Sequence, residues 1–190
     1  MQTLHLIPHP VHAPVRVRQV TARVVSQDAN WCVLRWKVEG AADLVVPPFA
    51  GRMRADGLWQ TTCFELFLKT PCHEPLSQQG GATGTYTEFN FSPSERWAAY
   101  DFSGYRTGMT ERPVPRAPVI TPRRGGDVLF CDVAIPKDAL PPVPWRYGLT
   151  AVLEEGGGVK SYWAIAHPSE RPDFHDPACL GAWLAAPDGS

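Results

Sequence analysis

A two-residue alternation of apolar and polar side chains constrains this chain more than any other feature. The segment Val15-Arg-Val-Arg-Gln-Val-Thr-Ala-Arg-Val24 alternates in this way, and residues 31–38 are rich in strand formers. Turn residues separate the strand-like segments, as in Ser92-Pro93-Ser94 and Gly125-Gly126. Many short strands divided by turns predict an all-β antiparallel sandwich or barrel. Six more strands are predicted, at residues 61–68, 86–91, 97–102, 128–135, 147–153 and 161–166.

The length and composition predict one domain that spans residues 1–190. A chain of 190 residues is within the usual range of a single domain, and no linker divides it. Its 20 prolines and 16 glycines argue against a helical bundle. The one helical candidate is a single turn at residues 136–140. Two polar stretches, residues 72–84 and 106–126, are predicted to be loops.

Charge and the N-terminal residues limit the partners and the location. Lys and Arg number 18 and Asp and Glu 19, so a general attraction to nucleic acid or to an anionic membrane is not expected. The apolar stretches are too short to cross a membrane. The first ten residues lack a basic start and contain Pro8 and Pro10, which argues against a signal peptide and favours a cytoplasmic protein. The oligomeric state is left open.

The five cysteines predict neither a disulfide framework nor a zinc ribbon. Their number is odd and no CxxC motif occurs. Cys32, Cys63 and Cys131 lie within apolar runs, so they are expected to be small core residues.

Strand alternation also predicts which side chains share a face. In residues 62–68, Phe64, Leu66 and Leu68 point one way. The other face carries Cys63, Glu65 and Phe67. In the next strand, residues 86–91, Tyr86, Glu88 and Asn90 point away from the three residues Thr87, Phe89 and Phe91. The simplest packing turns the apolar sets inward. A second, more polar face then carries Glu65, Tyr86, Glu88 and Asn90.

This polar face suits a sugar-like ligand. Carboxylates and a carboxamide can bind hydroxyl groups, and aromatic rings pack against the C–H faces of a sugar ring. The same alternation is also typical of an ordinary solvent-facing sheet, so the pattern leaves both interpretations open.

Three segments of the chain resemble bacterial DOMON-like domain proteins. They are Trp59-Gln-Thr-Thr-Cys-Phe-Glu-Leu-Phe-Leu68, Tyr86-Thr-Glu-Phe-Asn-Phe-Ser-Pro-Ser94 and Trp97-Ala-Ala-Tyr-Asp-Phe102. The tail, with Tyr162-Trp-Ala-Ile-Ala-His-Pro168 and Pro172-Asp-Phe-His-Asp-Pro177, is similar as well. The resemblance extends to about Leu184. The DOMON superfamily is similar in fold to the family-nine carbohydrate-binding modules of xylanases.

The resemblance implies a β-sandwich of roughly ten strands that binds a sugar or a haem. Family-nine modules hold a terminal sugar between two tryptophans. The resemblance implies that the region in which such modules keep structural and binding residues corresponds to Trp59 with Glu65 and to the strand with Glu88 and Asn90. Trp97 and Trp163 are the candidates for the second tryptophan. Those modules also carry calcium, bound by carboxylates and carbonyls, and this chain has no EF-hand loop. Their secreted setting is missing, which favours a soluble intracellular sugar, glycan or metabolite.

Two cofactor alternatives remain. The resemblance implies that haem would use Met and His axial ligands, for which Met53 or Met109 could pair with His167. The absence of CxxCH excludes covalent c-type attachment. A divalent metal could bind His167, Asp173, His175 and Asp176, although the prolines around them favour a structural turn.

A catalytic alternative rests on two carboxylates. Glu65 and Glu88 on neighbouring strands could imitate the acid pair of a small glycoside hydrolase. None of the motifs GxSxG, HExxH, P-loop or GxGxxG is present, so the protein is predicted not to be an enzyme. The arginines of residues 106–126 could contact phosphate or a partner.

The sequence thus predicts a non-catalytic β-sandwich that binds a carbohydrate or a sugar-like small molecule, with no required cofactor. The predicted binding residues are Trp59, Glu65, Tyr86, Glu88, Asn90, Trp97, Tyr105, Arg106 and His167.

Overall fold

The computed structural model describes residues 2–70 and 84–185 and contains twelve β-strands. No α-helix occurs in those ranges; the helical turns there are short 3₁₀ segments. The strands are β1 (Thr3–Pro8), β2 (Gln19–Gln27), β3 (Trp31–Glu39), β4 (Cys63–Lys69), β5 (Tyr86–Phe91), β6 (Trp97–Phe102), β7 (Thr110–Glu111), β8 (Val119–Gly125), β9 (Val128–Pro136), β10 (Trp145–Glu155), β11 (Val159–Ala164) and β12 (Ala182–Leu184). The all-β class predicted from the alternation is confirmed, with twelve strands where roughly ten were expected.

The strands form two layers that share β1. Every pairing is antiparallel, in the order β7-β6-β5-β4-β10-β11-β1-β2-β3-β9-β8, and β12 pairs with β10. Residues Thr3 to Leu6 of β1 pair with β2, and Ile7 and Pro8 pair with β11. We call the layer from β7 to β11 the site sheet and the layer from β2 to β8 the back sheet. The strand β1 therefore links the two layers of the sandwich.

The main core lies between the two sheets. Trp36 of β3 packs against Phe64 of β4 with ring centroids 5.5 Å apart, and its centroid is 6.2 Å from that of Phe91. These three rings are fully buried. They belong to one cluster with aliphatic residues of both layers, so burial of large rings between the sheets holds the sandwich together.

The cysteines predicted for the core are buried. Cys32, Cys63 and Cys131 are fully inaccessible, and each is a free thiol. Cys32 and Cys131 pack between the sheets, in the main core. The loop predicted at residues 72–84 lies outside the described residues except for Gly84.

Two predicted boundaries were wrong. The strand predicted from Val15 begins at Gln19, because the backbone N–H groups of Val15, Arg16 and Val17 bind the Glu155 carboxylate instead of a neighbouring strand. The predicted loop 106–126 contains β7 and β8. Both are short or exposed edge strands, and such a strand tolerates the Pro122 that made the segment resemble a loop.

Besides β7 and β8, two further strands, β1 and β12, had no counterpart in the prediction from sequence. In β1, Leu4 and Leu6 alternate with exposed residues, but the segment is only six residues long and ends at Pro8. The strand β12 has three residues, which is too short for periodicity to show. Within the described ranges, no helix is long and apolar enough to cross a membrane.

Replacing Glu155 by Gln should destabilise the fold by about 2–4 kcal/mol, because a buried carboxylate that accepts three N–H bonds loses its charge and one of its acceptors. The three donor–acceptor distances are 2.8, 2.6 and 3.1 Å. Urea unfolding measures the change. The neighbouring Glu154→Gln variant is the control, since that side chain is only half-buried. Equal stability of the two variants would show that the carboxylate does not anchor the segment before β2.

Candidate functional site

The outer face of the site sheet is covered by the C-terminal part of the chain. Phe174, Cys179 and Leu180 pack on it and form a second apolar cluster with Phe67 and Phe102. We call the segment that contains these residues the cover, and it lies very close to the sheet at Gly148. A Cβ atom at that position would come within 2.3 Å of the Cys179 carbonyl oxygen, so only glycine allows the approach. The face therefore becomes a partly enclosed space instead of an open sheet surface.

A cavity of about 540 Å³ lies between this face and its cover. Its polar lining consists of Glu65, Glu88, Arg106 and His175. Aromatic walls are supplied by Trp59, Phe67, Phe102, Tyr162 and Phe174. The remaining lining residues are Met109, Val152 and Pro172. The space thus combines a few ionisable groups with mostly apolar walls, which is typical of a small-molecule site.

Glu65 lies on the floor of the cavity. It projects from the middle of β4 opposite Asn90 of β5 and Thr150 of β10, and only 3% of its surface is exposed. The Thr150 hydroxyl donates a hydrogen bond to its Oε2 at 3.2 Å. Burial raises the pKa of the Glu65 carboxyl well above its ordinary value, and the nearby Glu88 raises it further. The side chain is therefore a neutral carboxylic acid over a wider pH range than a surface glutamate.

Glu88 is the second buried acid. Its side chain projects from β5 on the same face of the site sheet as Glu65, and 7% of its surface is exposed. The Asn90 amide donates to its Oε1 at 2.7 Å. Burial raises the pKa of Glu88, while the Asn90 bond and the positive charge of Arg106 partly oppose the rise. Glu88 therefore ionises more readily than it would without these two neighbours.

His175 joins the cover to the floor. Its Nδ1 atom is 2.7 Å from the Tyr86 hydroxyl, and its Nε2 atom is 3.9 Å from Glu88 Oε2. Burial, together with the Arg106 charge, lowers the pKa of His175 to about 4, so the ring is neutral at neutral pH. The Tyr86 oxygen also accepts the Arg106 backbone N–H at 3.2 Å. A Tyr86 hydroxyl that donates to Nδ1 leaves the Nε2–H directed toward Glu88.

A polar clasp at the edge of the cavity fixes Arg106. Its Nε and Nη2 atoms donate to Asp173 Oδ1 at 3.1 and 2.9 Å, and the Tyr105 hydroxyl donates to Oδ2. Burial acts to raise the pKa of Asp173, but the bonds from Tyr105 and Arg106 outweigh it and hold that pKa below the ordinary value. The Arg106 guanidinium group therefore already donates two hydrogen bonds to Asp173 before any ligand binds.

Most of the residues predicted from sequence come together. Trp59, Glu65, Glu88 and Arg106 line the cavity. Asn90 shares the floor face and is 1% exposed. Tyr86 and Tyr105 line a small adjoining cavity of about 20 Å³ that shares His175 with the larger one. The predicted polar face thus exists, but it is buried under the cover and is not open to solvent.

Two predicted site residues lie elsewhere. Trp97 is opposite Phe91 in the sheet, so its side chain points inward from β6 and packs in the main core. His167 donates from Nε2 to the Ile7 carbonyl oxygen at 2.9 Å and lies against His9, outside the cavity lining. Both residues are therefore structural in this fold, and their predicted role at the site is corrected.

The sequence reasoning missed several lining residues. The alternation placed Phe67 on the face of Glu65 but did not identify it as a lining residue, and the pairing of Phe102 with Tyr86 puts Phe102 on that face as well. Phe174 and His175 lie in an irregular segment, where no periodicity predicts direction. Their position depends on the path of the chain over Gly148.

The alternative ligand sets are not assembled. Met109 lines the cavity, but neither Met53 nor His167 does, so the predicted haem pairs share no space there. In the predicted metal cluster, Asp176 accepts the Ala178 N–H at 2.8 Å and Asp173 is held by Arg106. Across residues 2–70 and 84–185, no group of three or more His, Cys, Asp or Glu side chains is placed to hold a metal.

No protein-family model matches the sequence, and no curated protein matches it significantly. A solved structure with detectable similarity is a family-nine carbohydrate-binding module from Caldicellulosiruptor kristjanssonii in complex with glucose. The two chains are 12% identical, with a TM-score of 0.41, and the match covers 84% of this chain and 73% of that one. At this identity and TM-score, the similarity says nothing about the ligand of this chain.

The Glu65→Gln variant should lose less stability with rising pH than the wild type. An acid whose pKa is raised by folding stabilises the protein fully below its unfolded pKa, and that stability is lost as the pH rises toward the folded pKa. For Glu65 the window begins near the ordinary value of 4.5; burial and the Glu88 charge raise its pKa, and the Thr150 hydrogen bond opposes the rise. Melting temperatures measured across this range should diverge between the two proteins. The exposed Asp138→Asn variant should follow the wild type, and a Glu65→Gln curve parallel to both would contradict the raised pKa.

Proposed function

We propose that this protein is a non-catalytic binding module that takes a sugar-like small molecule into the cavity on the site sheet. The observation that carries the proposal is the combination of two buried carboxyl groups on the floor with aromatic walls around them. The cavity volume of about 540 Å³ lies within the range of small-molecule sites. It is large enough for one or two sugar rings and far too small for a folded partner.

The polar groups suit hydroxyl ligands. A protonated carboxyl both donates and accepts a hydrogen bond, which matches a hydroxyl group that does the same. The raised pKa of Glu65 favours this neutral form. The Asn90 amide donates to Glu88 at 2.7 Å and helps to hold that carboxyl group in place.

The aromatic walls suit the apolar side of a sugar ring. Phe67 and Phe102 are fixed by the second apolar cluster, and Tyr162 packs against the same cluster. Trp59 differs because 54% of its surface is exposed, at a 3₁₀ turn that spans Leu58–Gln60. A large exposed ring at the rim of a cavity gains by packing on a ligand, since that contact removes apolar surface from water.

The non-catalytic part of the proposal rests on the sequence motifs. None of the motifs GxSxG, HExxH, P-loop or GxGxxG occurs in the chain. Two buried carboxyl groups can also bind ligand hydroxyl groups without any reaction.

Titration calorimetry with a panel of neutral mono- and disaccharides tests the proposal. We expect at least one saccharide to bind with one site per chain, and the Glu88→Gln variant to bind it more weakly. Absence of binding by the whole panel, or unchanged binding in Glu88→Gln, would contradict a sugar site on this face. Aryl glycosides incubated with the protein check for turnover, and none is expected.

Replacing Trp59 by Ala should weaken saccharide binding by roughly tenfold, because one aromatic packing surface is lost. Its exposure means that folding should change little. Trp183→Ala is the matched control: Trp183 is 53% exposed but does not line the cavity. Calorimetry and melting temperature are compared for both variants. Equal affinities of the two variants would remove Trp59 from the site.

A further inference from the structure

The two acids that line the cavity have few hydrogen-bond donors within the protein. Glu65 and Glu88 both border the space. Within the described residues, only the Thr150 hydroxyl and the Asn90 amide donate to these two carboxyl groups. When a carboxyl group ionises it loses its own O–H donor and needs further donors, so the ionised form of these acids favours a ligand that donates hydrogen bonds.

The protein places no cation directly against these oxygens. Among the described residues, no Lys or Arg side chain is within ion-pair distance of Glu65 or Glu88. The Arg106 fork is bound to Asp173. His175 is neutral at neutral pH and remains 3.9 Å from Glu88. An ionised pair of acids on this floor would therefore be uncompensated unless the ligand supplied positive charge.

The walls are suited to a positively charged group of organic character. The rings of Phe67, Phe102 and Tyr162 line the space beside the two acids. Aromatic faces attract a cation within about 6 Å of the ring centroid, and more strongly when water is excluded. A bare metal ion would instead require several converging ligand atoms, and no such group is found in the described residues. An alkylammonium fits both the acidic floor and the aromatic walls.

We propose that the preferred occupant is a sugar that carries a protonated amine, with its ammonium group directed at Glu65 and Glu88. This inference rests on the proposed sugar-binding function and adds the chemical class of the ligand. The ammonium supplies three N–H donors and one positive charge, which together favour the ionised form of the two acids. The hydroxyl groups of the ring then face the remaining polar atoms, and its C–H surface faces Trp59.

Binding of such a ligand releases protons from the protein. Burial favours the neutral form of both acids in the empty site, and an ammonium nearby favours the ionised form. The sugar enters as an ammonium and remains one, while a carboxyl proton passes to the buffer as the carboxylate forms. The titratable groups that face the acids are Cys63 on β4, Tyr86 and Tyr100 on β5 and β6, and His175 and Arg106 from the covering segments. His175 is already neutral, and the pKa values of Cys63, Tyr86 and Tyr100 are raised above their ordinary values, so these groups keep their protons. The released proton therefore comes from a glutamate.

Calorimetry with matched sugar pairs tests the inference on the full chain. The probes are glucosamine, galactosamine and mannosamine, each compared with its neutral parent sugar below the pKa of the amine. N-acetylglucosamine serves as the uncharged analogue that keeps the nitrogen. We expect one amino sugar to bind about ten- to a hundredfold more tightly than its parent, as for a hydrogen bond to a charged group. Titration in two buffers with different ionisation enthalpies should show net proton release for the amino sugar and none for the parent.

Variants separate the outcomes. Glu65→Gln keeps the shape of the side chain and should lose most of the preference for the amino sugar and its proton release, while Asp138→Asn should keep both. A melting curve confirms that each variant is folded. If parent and amino sugars bind equally, or N-acetylglucosamine binds as tightly as glucosamine, the inference is overturned and sugar binding stands. If no sugar of either kind binds, the proposed function fails and the inference fails with it.

Discussion

The site depends on the packing of the C-terminal cover against the outer face of the site sheet. Without Phe174 and Leu180 on that face, Phe67 and Phe102 would be exposed and Glu65 would lie in water. The close approach at Gly148 makes this packing possible. Burial of the apolar cluster stabilises the cover, and the same burial removes solvent from two carboxyl groups. The same packing therefore produces both the cavity and the raised pKa of its two carboxyl groups.

The sandwich and the site use the two faces of the same strands. In β4 and β5, the inward residues pack against the back sheet through Trp36, while the outward residues form the cavity floor. Because β4 and β5 are buried on both faces, their positions are fixed by packing on each side. The floor is thus a rigid part of the fold, whereas Trp59 and Met109 on short turns and loops form the rim. This division suits a binding site, since a preorganised floor loses little freedom when a ligand is bound.

Charge is arranged unevenly around the cavity. The clasp of Tyr105, Arg106 and Asp173 is satisfied within the protein and joins the loop after β6 to the cover. Glu65 and Glu88 line the cavity and accept hydrogen bonds from Thr150 and Asn90, with no cationic partner at ion-pair distance among the described residues. Structural charged groups are normally paired, so these two acids mark the part of the site that is open to a ligand.

The sequence by itself determined the all-β class and the parity of Glu65, Tyr86, Glu88 and Asn90, because strand alternation is a local property of the backbone. The same rule did not prevent the wrong prediction of Trp97 as a site residue, because its direction follows from its pairing with the inward-facing Phe91, which the structure shows. Tertiary structure alone decided that the polar face is buried, that Phe174 and His175 cover it, and that Arg106 turns to Asp173. Each of these depends on contacts between residues far apart in the chain, such as the 67 positions that separate Arg106 from Asp173. Periodicity carries no information about such contacts, and the path of an irregular segment follows from the surface on which it packs.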